Sequence, residues 1–381
     1  MNWFRLIILL SAILMFQVTA RGEQSPVSSG HGLSAVAGQM PDLDGTGRAA
    51  RFFAPEGITT DGTNLFVADT NNNTIRKVVI TTGVVTTLAG SAASWGATDN
   101  AGEAASFSIP RGITTDGTNL FVADTNNNTI RKVVIATGVV TTLAGYAGIR
   151  GATDGTGQAA RFNNPEGIAT DGTYLFVADS LNHTIRKVVI ATGAVTTLAG
   201  NPGKSGAADG VGGAALFSIP RGIATDGTYL FVADSLNHTI RKVVIATGVV
   251  TTLAGSAASW GATDNAGEAA RFYNPHGIAT DGENLFVADT DNHVIRKVVI
   301  ATGVVTTLAG KAGNFGATDG AGGAARFFAP HGITTDGTRL FVTDTGSDTV
   351  RMVTIATGAV TTLAGNTRRV RFILIPPVGI Q

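Results

Sequence analysis

The side chains with the most varied chemistry stand one position before a recurring Gly-Ile pair. In chain order they read Glu56, Arg111, Glu166, Arg221, His276 and His331. Two imidazoles and a carboxylate form a donor set that suits zinc or a related divalent metal, and a metal-bound water can act as a nucleophile. The same six side chains can instead form a ring of salt bridges, each pair contributing about 0 to 1 kcal/mol. Which chemistry applies depends on the elements that hold them.

Those elements repeat. The glycine of the Gly-Ile pair returns from Gly57 to Gly112 after 55 residues (112 − 57) and keeps this interval as far as Gly332. A fixed period of this length indicates a repeat architecture. Each copy holds four short apolar runs rich in Val, Ile, Thr and Phe, separated by Asp-Gly, Asn-rich and Thr-Gly turns, and therefore predicts four antiparallel strands.

The second predicted strand indicates how the copies are arranged. In the third copy it is Leu175-Phe176-Val177-Ala178, which is apolar on both alternations, so both of its faces must be covered. Stacked four-stranded sheets around a channel satisfy this requirement. The sequence therefore predicts an all-β fold, a six-bladed β-propeller over residues 33–365. A linear solenoid is the alternative, but its terminal repeats need polar caps, and the first and last copies are nearly as apolar as the others.

Two motifs recur in the copies. The third copy carries Pro165-Glu166-Gly167-Ile168-Ala169-Thr170-Asp171-Gly172, and an Asn-His pair follows at Asn182-His183. The other copies hold Asn237-His238 and Asn292-His293, with Asn72-Asn73, Asn127-Asn128 and Ser347-Asp348 in copies one, two and six. These motifs resemble the NHL repeat over residues 33–365, and the resemblance implies a six-bladed propeller. We expect the Asn-His residues to be structural turn residues.

The propeller fold predicts where the six variable side chains lie; their place in each blade is called the ring position. The first strand of a propeller blade is normally innermost, so the six variable side chains should surround one mouth of the channel, and blade six should adjoin blade one. His276, His331 and Glu56 then become consecutive, and we expect them to be the candidate metal set, with zinc or a similar divalent ion as cofactor. The propeller domain of peptidylglycine amidating lyase is similar here, since it presents metal-binding His after Pro. Its further His, Tyr and Arg residues have no match, and no catalytic residue is assigned.

Residues present in every copy are predicted to build the blades. The Asp that ends the second strand and the Arg of the third strand are expected to pair. The loop aspartates Asp99, Asp154, Asp209, Asp264 and Asp319 are predicted to be solvated loop caps rather than calcium ligands, because the alternating oxygen ligands of a calcium loop are missing. Trp95 and Trp260 occupy identical loop phrases, where they either pack over a blade edge or serve as exposed anchors for a glycan or protein.

The ends of the chain predict its compartment. Residues 1–20 combine Arg5 with an apolar stretch and small residues at Val18-Thr19-Ala20, which is typical of a cleaved secretory signal that leaves no membrane span. Residues 21–32 form a polar linker. Leu33–Gly38 is a weak copy of the fourth strand, expected to close the last blade, with Val360–Gly365 added outside it or displaced. Residues 366–381 are predicted to be a degenerate tail.

Composition limits the function. Lys+Arg and Asp+Glu both number 27, which argues against a nucleic-acid partner, and the absence of Cys excludes disulfide and thiol chemistry. We therefore predict an extracytoplasmic scaffold, periplasmic, cell-surface or secreted, that binds a protein, peptide or surface polysaccharide without catalysis. The alternative is a metal-dependent lyase or hydrolase with its site at the channel mouth. A third interpretation is a recent duplication product under little functional constraint.

Overall fold

A computed structural model describes residues 43–92, 94–257 and 259–367. The predicted signal, the linker, Leu33–Gly38 and the tail beyond Thr367 lie outside these residues. Within them the chain forms six antiparallel sheets, one per repeat, joined into a closed ring. The predicted all-β, six-bladed propeller is confirmed. No helix in the described ranges is long and apolar enough to cross a membrane.

Each blade uses its four main strands in chain order, from the channel outwards. The first strands are Ile58–Thr60, Pro110–Thr115, Pro165–Thr170, Pro220–Thr225, Pro275–Thr280 and Pro330–Thr335. The second strands are Asn64–Asp69, Asn119–Asp124, Tyr174–Asp179, Tyr229–Asp234, Asn284–Asp289 and Arg339–Asp344. The third strands are Thr74–Val79, Thr129–Val134, Thr184–Val189, Thr239–Val244, Val294–Val299 and Thr349–Thr354. The fourth strands are Val84–Ala89, Val140–Gly145, Ala194–Gly200, Val249–Gly255, Val304–Gly310 and Ala359–Gly365.

Short elements complete the blades. A two-residue strand pairs with the outer edge of the fourth strand in five blades, at Gly45–Thr46, Gly155–Thr156, Gly210–Val211, Asn265–Ala266 and Gly320–Ala321. Blade two has a single bridge there, between Ala101 and Val139. One 3-10 turn follows each outer element, at Gly47–Ala49, Gly102–Ala104, Gly157–Ala159, Gly212–Ala214, Gly267–Ala269 and Gly322–Ala324. Another links the second and third strands, at Thr70–Asn72, Thr125–Asn127, Ser180–Asn182, Ser235–Asn237, Thr290–Asn292 and Thr345–Ser347.

The hydrophobic core lies between neighbouring blades. Phe176 and Ala178 of blade three pack with Phe217, Leu230 and Val232 of blade four, and all five side chains are buried. Burial of a large apolar side chain stabilises the fold by about 1.5 to 3 kcal/mol. The second strands are apolar on both faces because each sheet is covered by a sheet on either side.

A glycine contact closes the ring. A Cβ atom added to Gly57 would collide with the carbonyl oxygen of Arg111 in the next blade, and one added to Gly332 would collide with that of Glu56. The inner strands approach each other so closely that only glycine fits. The remaining contacts of this kind run from Gly112 to Glu166, Gly167 to Arg221, Gly222 to His276 and Gly277 to His331. The recurring glycine of the sequence is therefore a consequence of blade packing.

Blade six is completed by its own fourth strand. Ala359–Gly365 pairs directly with Thr349–Thr354, from Thr349 opposite Gly365 to Thr354 opposite Ala359. The expectation that Val360–Gly365 lies outside another strand or is displaced is therefore wrong, because this ladder fills the position. The first described strand, Gly45–Thr46, lies on the outer edge of blade one, and the turn after it reaches blade six, where Asn366 Nδ2 donates to Arg48 O at 3.2 Å.

Candidate functional site

A buried ion pair fixes the end of each second strand. In blade three, Arg186 Nη1 lies 2.7 Å from Asp179 Oδ2, and neither side chain is exposed. The other carboxylate oxygen, Asp179 Oδ1, accepts a hydrogen bond from Asn163 N in the segment that leads into the first strand. The predicted Asp–Arg pairing is present in all six blades, at separations between 2.7 and 2.9 Å.

The loop aspartates are the second partners of these arginines. Arg186 Nη2 lies 2.7 Å from Asp154 Oδ1, and Thr197 Oγ1 donates to the same oxygen at 3.0 Å. The guanidinium also lies over the Phe162 ring, 5.3 Å from its centroid. The Asp154 side chain is still 48% exposed, as predicted for a solvated loop cap, and the structure adds a contact with arginine that was not predicted. The constant 32-residue separation of Asp154 and Arg186 was the signal that sequence reasoning missed.

The Asn-His turn joins each blade to the next. Asn182 Nδ2 donates to Asp179 Oδ2 at 2.7 Å and to Gly151 O at 2.6 Å. His183 adopts a left-handed conformation, and its Nδ1 accepts a hydrogen bond from Ile219 N of blade four at 3.1 Å. We call this contact the inter-blade staple. The acceptors in the other blades are Asn73, Asn128, His238, His293 and Asp348.

The staple directs the ring side chains. The residue that donates it stands before the proline of the first strand and has positive φ, for example 53° at Ile109 and 57° at Asn164. In blade three the pairing then shifts between Pro165 and Ile168, so that Glu166 and Gly167 of the first strand lie opposite the single residue Ala178 of the second. Such a bulge re-aims side chains at the end of a strand. It places Glu166 at the channel mouth.

All six ring residues line one open cavity of about 70 Å³, here called the mouth cavity. Arg111 contacts two carboxylates, with its Nε 3.3 Å from Glu56 Oε2 and its Nη1 3.2 Å from Glu166 Oε1. Arg221 continues the series, its Nε 3.4 Å from Glu166 Oε2. The cavity at the other end of the channel is lined by Ile, Thr and Ala of the first strands. Of these two cavities, only the mouth cavity has charged side chains in its lining.

Two histidines complete the ring. Arg221 Nη1 contacts His276 Nε2, and the His276 and His331 ring centroids are 4.1 Å apart. His331 Nδ1 in turn lies 3.7 Å from Glu56 Oε2. The structure thus brings together all six residues that the sequence singled out, including the junction between blades six and one.

Comparison with known proteins agrees with this architecture. The sequence profile of the family described as NHL repeat matches residues 272–297. NHL repeat-containing protein 2 of Homo sapiens is 30% identical over 302 residues, which cover 70% of this chain and 41% of the human protein. This chain is an NHL-repeat β-propeller. Protein SUPPRESSOR OF QUENCHING 1, chloroplastic, of Arabidopsis thaliana is 31% identical over 279 residues, covering 68% of this chain and 26% of that protein.

The NHL propeller spans less than half the length of these curated relatives, 41% of one and 26% of the other. Among solved structures, an auxiliary nutrient binding protein from Bacteroides thetaiotaomicron superposes with a TM-score of 0.59 at 17% identity, covering 82% of this chain and 70% of that chain. At this identity the likeness shows the fold alone.

The mouth cavity of the NHL propeller sets the charge of its side chains. Burial opposes the ionisation of Glu56, but Arg111, His331 and Arg221 outweigh it and lower its pKa to about 2. Burial, together with Arg221, His331 and Arg111, holds the pKa of His276 well below its usual value of 6.5. At neutral pH Glu56 is therefore ionised and His276 is uncharged.

This arrangement opposes a metal at His276, His331 and Glu56. The three are consecutive, but Arg221 places a cation against His276 Nε2. In the parts of the chain that the structure describes, no group of three or more His, Cys, Asp or Glu side chains is arranged to hold a metal ion. Metal binding by this set remains a prediction.

Exposed aromatic rings share the face of the mouth cavity. Trp95 and Trp260 are 77% and 64% exposed, and Phe315 is 56% exposed. Trp260 belongs to the loop that enters blade five, next to Tyr273 in the segment before the first strand. Both tryptophans are thus surface residues, and the face combines a charged centre with aromatic surroundings.

Proposed function

We propose that this NHL propeller is an exported, non-enzymatic binding module that holds a ligand on the face of the mouth cavity. One observation carries the proposal. The described blades repeat their strands, ion pairs and staples with few changes. At this face, in contrast, the ring position varies among Glu, Arg and His, and the loops that lead into blades three, four and six differ from the loop that blades two and five share. Selection for a ligand is the pressure that would diversify one face of an otherwise repeated scaffold.

Rigidity supports the same proposal. Inter-blade staples run from each blade to the next, and a second contact, such as Ser180 Oγ donating to Pro220 O at 2.6 Å, runs beside them. A surface that is ordered before binding loses less conformational entropy when the ligand arrives. Nutrient binding is a property of the Bacteroides protein itself, and the activities of the longer relatives belong to their whole chains.

Export is the part of the proposal that rests on the sequence of residues 1–20. The expected result is a mature protein that begins after Ala20 and is recovered from the periplasm, cell surface or medium. N-terminal sequencing of the secreted fraction measures this. Retention of an intact Met1 in the cytoplasm would overturn the export proposal without affecting the binding proposal.

Binding can be tested with arrays of peptides, proteins and glycans probed by the mature propeller. A mouth-face variant, Leu181→Asp with Leu236→Asp, changes exposed residues in the turns between the second and third strands. A control variant, Ala191→Asp with Ala246→Asp, adds the same charge at exposed turns on the opposite face. We expect a ligand whose binding is lost only in the mouth-face variant. An empty array, or equal loss in both variants, would contradict the proposal.

A metal-dependent lyase or hydrolase is the second candidate function, favoured by the proximity of His276, His331 and Glu56. The contact between Arg221 and His276 makes it the less supported candidate. Elemental analysis of untagged protein purified without chelator decides between them. Stoichiometric zinc or another transition metal that disappears in the His276→Ala/His331→Ala variant would favour the enzyme, and a substrate screen would follow.

A further inference from the structure

Two aromatic clusters occupy equivalent places in blades five and six. The Trp260 ring stacks on Tyr273 with 4.6 Å between centroids and an interplanar angle of 25°, and His238 meets Tyr273 edge-on at 5.8 Å. In the next blade, Phe315 lies 5.0 Å from Phe328. Trp260 and Phe315 remain more than half exposed although one face of each ring has a partner. Each therefore offers its other face to solvent in a fixed orientation.

This pairing of rings breaks the sixfold repeat. At the positions of Trp260 and Phe315, blades three and four carry Arg150 and Ser205. Blade two carries Trp95, but Ser108 stands where Tyr273 supports Trp260. The two supported aromatic pairs thus lie side by side in blades five and six. We call Trp260, Tyr273, Phe315 and Phe328 the aromatic platform.

Polar groups border the platform. His238 Nδ1 accepts a hydrogen bond from Asn274 N and His293 Nδ1 accepts one from Ala329 N, both at 3.1 Å. Because Nδ1 is the acceptor, the proton of each neutral imidazole is on Nε2, which is available as a donor. Asp291 N donates to Tyr273 O at 3.2 Å, which places the Asp291 backbone beside the platform.

The surroundings of the two histidines determine the protonation state of the groups that border the platform. Burial lowers the pKa of His238 and of His293, and the nearby Asp291 carboxylate only partly opposes it. Both imidazoles are therefore neutral at pH 7, and Asp291 supplies a carboxylate acceptor. A polyanionic ligand would meet this carboxylate, and the guanidinium groups of Arg271 and Arg326 beside the two loops already donate to the carbonyl oxygens of Ala270 and Ala325. An uncharged ligand that offers hydroxyl groups would find both donors and an acceptor.

We propose that the aromatic platform binds a neutral oligosaccharide chain, with sugar rings packed on Trp260 and Phe315. A pyranose ring has a face of C–H groups that packs on an aromatic ring and hydroxyl groups around its edge that hydrogen-bond to imidazole and carboxylate. A protein partner instead favours a contiguous apolar patch, whereas these ring faces are separated by polar groups. Two supported rings in adjacent blades suit a chain rather than a single sugar. The inference rests on the proposed binding function and names its ligand class.

The experiment uses Trp260 as a reporter. Trp3 lies in the predicted signal, so a mature Trp95→Phe protein retains Trp260 as its single tryptophan. Neutral hexasaccharides of glucose, mannose and N-acetylglucosamine are titrated at up to millimolar concentration while tryptophan emission is recorded. We expect saturable binding of at least one of them. Calorimetry should then show affinity weakened by about tenfold or more in Trp260→Ala and in Phe315→Ala, a loss of about 1.4 kcal/mol for each factor of ten.

Trp95→Ala is the matched control, because it removes the same side chain from an identical loop. Its affinity should equal that of the wild type, and unfolding curves of all three alanine variants establish that they are folded. Binding of no neutral hexasaccharide, equal loss in Trp95→Ala, or equal affinity for a polyuronate hexamer would each overturn the proposal. A peptide or protein ligand that requires Leu181 and Leu236 but not Trp260 would overturn it while the proposed binding function stands.

Discussion

Blades two and five begin with loops of identical sequence, residues 91–105 and 256–270, yet they present different chemistry. The sequences diverge just before the first strand, where Ser108 in blade two corresponds to Tyr273 in blade five. Trp95 is consequently more exposed than Trp260. At the ring position, Arg111 pairs with two glutamates, whereas His276 is buried and uncharged. A few residues after an identical loop therefore decide what each blade offers to a ligand.

The same two blades share the strands, glycine contacts and buried ion pairs that build every blade, here called the frame. Arg131 lies 2.7 Å from Asp124 in blade two, and Arg296 lies 2.8 Å from Asp289 in blade five. Each arginine also lies 2.7 Å from its loop aspartate. The frame and the site are therefore specified by different residues. Substitutions in the frame should therefore act equally in both blades, whereas substitutions near the site should not.

The largest expected effect comes from the buried arginines. Arg131→Met and Arg296→Met each leave a buried aspartate without its main cation, which costs about 3 to 5 kcal/mol of unfolding free energy. Urea denaturation measures the loss, and the two variants should agree. Lys132→Met, on the neighbouring half-buried side chain, is the control and should change stability by about 0.5 kcal/mol or less. A large difference in stability between the two arginine variants would show that the frame of blade two is not equivalent to that of blade five.

The next effect comes from the glycines between inner strands. An alanine Cβ at Gly112 meets the carbonyl oxygen of Glu166, and one at Gly277 meets that of His331. Because two backbones would have to separate, Gly112→Ala and Gly277→Ala should each lose about 1 to 3 kcal/mol by thermal or urea unfolding. Gly213→Ala is the control, since its nearest neighbour is Gly200 O at 3.9 Å. Tolerance of alanine at Gly112 and Gly277 would contradict the close approach of the blades.

Much of this frame could be predicted from the sequence because repetition multiplies each signal six times. The strands, the ring and the pairing of Asp179 with Arg186 followed from periods and residue types. The staple at His183 could not be predicted, since its partner, Ile219 N, is a backbone group in another blade. The fourth strand of blade six was misjudged because Leu33–Gly38 resembles it, and sequence similarity does not decide which of two strands pairs with Thr349–Thr354.

A smaller effect concerns the residue before each first-strand proline. Ile109 in blade two has φ of 53°, and Asn274 in blade five has φ of 52°. A β-branched residue is strained in this region, whereas asparagine tolerates it. Ile109→Asn should therefore stabilise the propeller by about 1 kcal/mol, and the reverse change, Asn274→Ile, should destabilise it by a similar amount. Unfolding curves that move in the opposite directions would show that side-chain packing outweighs backbone strain here.

The smallest effect separates the staples by their response to pH. Blade five uses His293 Nδ1 as acceptor, whereas blade two uses Asn128 Oδ1, which does not titrate. Because burial lowers the pKa of folded His293, the unfolded chain binds a proton first as pH falls through 6.5, and stability is lost. Between pH 8 and pH 6 the wild type should lose up to about 0.8 kcal/mol more than His293→Asn.

The reciprocal variant, Asn128→His, should acquire the same pH dependence in blade two. The remaining histidines are common to all three proteins, so their contributions cancel when unfolding free energies are compared at the two pH values. If neither exchange alters the pH dependence, the proton affinity of His293 is the same in the folded and unfolded chains, and the staple does not depend on a neutral imidazole. If only His293→Asn alters it, the acceptor site of blade two differs from that of blade five.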